Sequence, residues 1–152
     1  MNNAIAIIIH LLAINIWIGG TFYSVIILPR AVAALPPVQQ HQILISAFSL
    51  FFAFVWLAIV MLLASGSWMV IYIFGGFSTI PLYVTMMMSI TLLMVAVFSG
   101  IYFGPFKKLK KSLDDIPAQH RYLAVIRRLS QVNMVLGIGI VIVIGGGPHF
   151  FV

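Results

Sequence analysis

The chain has no cysteine, and only two of its 152 residues are acidic. The absent thiols exclude disulfides, thiolate metal centres and cysteine nucleophiles. The scarcity of carboxylates is as restrictive. General acid–base and hydrolytic chemistry needs titratable groups facing each other across a site, whereas Asp114 and Asp115 stand side by side in a basic stretch. No Gly-rich phosphate cradle follows a predicted strand, because no strand is expected. Charged residues of both signs make up 7% of the chain against 63% hydrophobic, with a mean hydropathy of +1.20. A soluble domain does not carry that balance; a membrane protein does. The length offers one transmembrane domain, residues 1–152.

A helix needs ~20 apolar residues to cross the ~30 Å hydrocarbon core. Four stretches meet or approach this, at roughly residues 4–28, 43–64, 80–103 and 129–147. The last is short when counted from Leu129, but it can begin near Pro117, behind the Asp114-Asp115 pair whose charge suits a helix N-terminus. The expectation is an all-α integral membrane four-helix bundle. The start, Met1-Asn2-Asn3, has no Lys or Arg, and the apolar run after it is longer than a signal-peptide core, so the first span is expected to be retained. Pro36-Pro37 is expected to end that helix, and the aromatic stretch Ser65 to Thr79 to lie in the outer interface.

Seven of the eight Lys and Arg residues fall between Lys107 and Arg128, and the eighth is Arg30. The positive-inside bias therefore predicts a basic cytoplasmic loop over residues 104–128 and places both termini on the outer side. In a bacterium this is the periplasmic side of the inner membrane. The net charge of +6 then reads as a topology signal, and the lipid bilayer, not nucleic acid, is the expected partner.

Against this background His10 stands out as an ionisable residue inside a span. Asn3, His10, Trp17 and Ser24 recur every seven residues, with Thr21 on the same side, and such a polar stripe should face the bundle. One reading makes His10 a neutral hydrogen-bonding residue between helices. The other makes its imidazole a ligand to a haem iron or a copper ion, with Asn3 or Trp17 orienting the ring. Gly19 and Gly20 would let a helix or a flat ligand approach. Two further metal ligands are conceivable: His149 at the outer end of the fourth span, and Met88 from the Met86-Met87-Met88 run, since thioethers suit Cu(I). His41 and His120 are expected in solvated loops at the other face. Methionine also fills gaps in apolar cores, which is the simpler account of the run.

The stretch HLLAINIWIGGTFYSVIILPR, through His10, Trp17, Gly20, Phe22, Tyr23 and Arg30, resembles the first helix of CopD/HemJ-like membrane proteins. RRLSQVNMVLG, Arg127 to Gly137, resembles the start of a later helix in the same family. The resemblance implies either periplasmic copper handling or haem-dependent oxidation of protoporphyrinogen, with the first-helix His at the cofactor. HemJ-like chains place a Lys and a His in the third helix where this one has residues near Met88 and Ser99, which argues against the oxidase activity and against an independent enzyme. Two readings stand. In one the chain binds haem b or copper near the periplasmic face, for copper handling or membrane electron transfer, through His10, Trp17, Gly20 and Asn3. In the other it carries no cofactor and packs, as a homo-oligomer or accessory subunit, within a larger membrane complex.

Overall fold

The computed structural model of the protein describes residues 2–112 and 115–150, with side chains as far as residue 146. Four helices are long and apolar enough to span a membrane: α1 (Asn3–Ala31), α2 (Pro37–Tyr72), α3 (Leu82–Lys111) and α4 (Ile116–Gly146). No strand occurs among the described residues. The all-α four-helix bundle expected from the apolar runs is the fold the chain adopts.

The helices outrun the apolar stretches that announced them. The second span, expected over 43–64, runs for 36 residues, about 54 Å at 1.5 Å per residue. Its start is set by Pro36, extended at φ −55°, ψ 145°, and by Pro37 in the first turn, where a missing N–H costs nothing. The expected basic loop over 104–128 is helix on both sides of a short break near Ser112. α3 carries Pro105 inside a π-helical turn, Tyr102–Phe106, whose wider ring tolerates the absent donor, and so continues to Lys111. α4 begins after Asp115, whose Oδ1 accepts the Ala118 N–H at 2.9 Å. At the opposite end α2 draws Trp68 and Tyr72 into its last turns, their rings stacked at 4.0 Å. The interfacial segment expected from Ser65 therefore shrinks to the reversal after Tyr72. That reversal uses Gly75 and Gly76 at φ +77° and +123°, and the Thr79 hydroxyl closes it on the Phe74 and Gly76 carbonyls.

This up-down order puts all eight Lys and Arg at one end of the bundle, beside the α1–α2 and α3–α4 connections. The other end, with the start of α1 and the α2–α3 connection, has none. Residues between the ends pack α1 along α2 and α3 along α4. Aromatic rings join the two pairs: Phe52 meets Phe98 at 5.3 Å and Phe106 at 4.7 Å, and Phe98 meets Trp56 and Trp17 at 5.3 and 6.2 Å. Edge-on ring pairs of this kind add to dispersion where lipid supplies no hydrophobic drive between helices.

Two backbone details hold α1 in place. Ala13, Trp17, Thr21 and Val25, all buried, recur every four residues, a spacing that drifts about 40° per step on a 3.6-residue helix. Two π-helical turns, Asn15–Gly19 and Tyr23–Ile27, absorb the drift and keep one line of side chains toward the core. Close approach is made by Gly20, where a Cβ would collide with the Phe51 ring, and by Gly137 of α4, where it would come within 2.9 Å of Ile18. Gly19 faces open space.

Candidate functional site

His10 sits two turns into α1 from the charge-free end, half-buried against α2. The seat is made by Ser65 and Gly66. Ser65 Oγ lies 2.9 Å from His10 Nδ1, and the ring edge rests where a Cβ on Gly66 would be 3.5 Å away. The Ser65 hydroxyl donates its own proton to the Met61 carbonyl at 2.6 Å. Its oxygen can therefore only accept from the imidazole. Hydrogen-bond accounting thus assigns the proton to Nδ1 and leaves a lone pair on Nε2. A partner on the far nitrogen is the arrangement that fixes the tautomer of metal-binding histidines.

His10 lines two cavities. The inner one, about 20 Å³, is bounded by Trp17, Leu62, Met87, Thr91 and Met94 and has room for about one water. The outer one, about 100 Å³, runs from His10 past Met69, Met87 and Met88 to Phe74 in the α2–α3 connection. One imidazole and three thioether side chains thus border a single small space that reaches the α2–α3 connection. No group of three or more His, Asp or Glu that could hold a metal occurs among the described residues. The donors gathered here are soft ones.

The sequence-predicted residues separate under this geometry. His10, Trp17 and Met88 come together at the cavities. Asn3 does not orient the imidazole: its Oδ1 accepts the Trp68 indole N–H at 3.3 Å, near the end of the bundle. Trp17 is buried and packs edge-on to Phe98. The orienting bond comes from Ser65 instead. Gly20 serves the contact with Phe51 and borders neither cavity. The side chain of His149 lies outside the described residues. Met69, Ser65 and Gly66 were not singled out by sequence reasoning, and Met87 entered only as part of the Met86-Met87-Met88 run. The signal for Ser65 and Gly66 was the run Ser65-Gly66-Ser67 inside an apolar span, legible only once α1 is known to cross it.

Two other polar residues depart from expectation. His41 is not a solvated loop residue: it is 4% exposed on α2, with Nδ1 3.1 Å from Gln119 Oε1. Gln119 Nε2 donates to the Ser112 carbonyl at 2.8 Å, which fixes the amide and makes His41 Nδ1 the donor. His120, exposed on α4, brings its ring to 5.1 Å from that of His41. Asn133, also buried, donates to the Met94 carbonyl at 3.2 Å, while its Oδ1 has no hydrogen-bonding partner.

The space beside His10 is small. Pockets for ligands of drug size or more occupy roughly 300–1,000 Å³, whereas the cavities here measure about 20 and 100 Å³. A single ion does fit, and imidazole with thioether is a donor set for Cu(I).

Among known families, the model described as Copper resistance protein D matches residues 45–146. Searches of curated proteins and of solved structures find no significant match. The matched residues take in most of α2 and all of α3 and α4, including Ser65, Met69, Met87 and Met88 of the site; His10, on α1, precedes them. With two thirds of the chain matched and four helices of spanning length, the protein belongs to the CopD family of copper-resistance membrane proteins.

Proposed function

We propose that the protein binds copper as Cu(I) at the charge-free end of the bundle and serves copper handling in a bacterial inner membrane. His10 Nε2 and the thioethers of Met69, Met87 and Met88 are the groups that would hold the ion. The observation that carries this reading is the His10–Ser65–Met61 chain, which leaves Nε2 as a lone pair beside a methionine-lined cavity. Copper so held would exchange between soft ligands without a charged side chain nearby. By the positive-inside bias the charge-free end faces the periplasm, and the outer cavity reaches the α2–α3 connection at that end.

Purified full-length protein, loaded with Cu(I) under reducing conditions and freed of excess metal, should retain copper, and His10→Ala should lose it with helicity unchanged. Wild-type protein that keeps no copper, or a His10→Ala variant that keeps all of it, would overturn the reading. The orientation is tested separately by reporter fusions: a C-terminal alkaline phosphatase should be active, and a reporter inserted after Ser112 should read as cytoplasmic.

A further inference from the structure

The basic end carries a feature that copper binding does not use. Where the start of α2 meets the first turns of α4 and Pro29 of α1, the helices surround an open groove of about 730 Å³, far larger than either cavity at His10. Its charged lining is cationic, Arg121, Arg127 and Arg128, with Gln40, Gln131, His41 and His120 as further polar groups. Leu44 and Phe48 of α2 and Leu123 of α4 supply apolar lining. Arg121, Ala124, Val125 and Arg128 stand at i, i+3, i+4 and i+7, so one face of α4 presents two guanidiniums two turns apart, with Arg127 beside the second.

These charges are not balanced within the chain. Among the described residues none of the three arginines forms an ion pair. The sequence has only two acids, and Asp115 already caps α4. Arg121 lies over the Tyr122 ring, 5.4 Å from its centre, which does not neutralise it. Three guanidiniums repel a metal cation, so this groove and the His10 cavity select opposite charges. An occupant must bring anionic oxygens to the arginines, whose planar forks match phosphate, and hydrocarbon to Leu44 and Phe48. Arg127 and Arg128 directly precede the apolar run that begins at Leu129, which sets the groove at the level of the lipid headgroups. Basic pockets between spanning helices at a membrane face take anionic headgroups.

We propose that this groove binds the phosphate-bearing headgroup of an anionic phospholipid in the leaflet at the basic end, with an acyl chain along Leu44 and Phe48. The site is independent of copper binding. The chemistry recognised is a phosphate ester, which soluble phosphate partly shares. Full-length protein is equilibrated with equal amounts of phosphatidylglycerol and phosphatidylcholine, and retained lipid is counted by native mass spectrometry. Wild type should retain phosphatidylglycerol preferentially. Arg127→Gln/Arg128→Gln should lower that preference about thirtyfold, the effect of two cations at a membrane surface, and Arg128→Gln alone about fivefold. Lys107→Gln/Lys108→Gln removes the same charge at the same end from outside the groove and should leave the preference unchanged. No preference in wild type, or equal loss in the arginine and lysine doubles, overturns the proposal. So does millimolar inorganic phosphate that displaces the lipid completely, which would make a soluble anion the ligand. If the arginine double fails to fold, as judged by circular dichroism, the single variant decides.

Discussion

At the charge-free end His10 donates its Nδ1 proton to Ser65, and at the basic end His41 donates its Nδ1 proton to Gln119. Both rings are held in the same tautomer, by an oxygen on α2 in one case and on α4 in the other, and both line a cavity. The surroundings then diverge. His10 borders a narrow apolar space with three methionines and no charge, whereas His41 borders a wide groove with three arginines. An imidazole lone pair is the same ligand in both places. What decides whether a cation can come near it is the field of the neighbours, which at the basic end opposes one.

This contrast can be broken at its strongest point first. His10→Ala should remove the bound copper entirely, while His41→Ala should keep it; loss of copper in both would mean that the two ends are not chemically distinct. Ser65→Ala leaves the ring but releases its tautomer, and should weaken copper affinity about 10–100-fold, as loss of a partner on the far nitrogen does. Competition titration with a colorimetric Cu(I) chelator reads this directly, and unchanged affinity would remove Ser65 from the account.

Smaller effects sharpen the comparison by separating packing from binding. Gly20→Leu must push aside the Phe51 ring and should cost about 1–3 kcal/mol of stability, whereas Gly19→Leu, into open space, should cost almost nothing. Equal thermal shifts for the two would show that the α1–α2 approach at Gly20 is not tight. Smallest of all, Gln119→Ala leaves the His41 N–H without its acceptor beside a partly wet groove, a loss of about 1 kcal/mol at the lower end for an unmade buried hydrogen bond. That variant should lower the melting temperature slightly and leave copper content untouched.

Much of the architecture was legible before any coordinate. Runs of apolar residues near the length of a bilayer give four helices, and basic residues confined to two connections give their common end, because a bilayer tolerates few other solutions for an uncharged backbone. Helix ends were less legible. Apolar length marks the hydrocarbon core, but α2 begins where Pro37 sets the first turn, outside that core, and only the start of α4 behind Asp115 was given away by its own residues. The importance of His10 was legible from its rarity in a span. Its partner was not, since the seven-residue stripe pointed to Asn3 and Trp17 on the same helix, and the acceptor came from 55 residues away.

The sequence by itself determined that this is a four-helix membrane protein with one charged and one uncharged end, because composition and span length act locally and need no partner. Only the tertiary structure decided that Ser65 and Gly66 seat His10, that Met69, Met87 and Met88 share its cavity, and that His41 leaves the loops to join three arginines around a groove. Those outcomes depend on which helices lie side by side and at what rotation. Crossing contacts such as Gly20 on Phe51 and Gly137 on Ile18 settle that by shape, and a linear pattern does not record it.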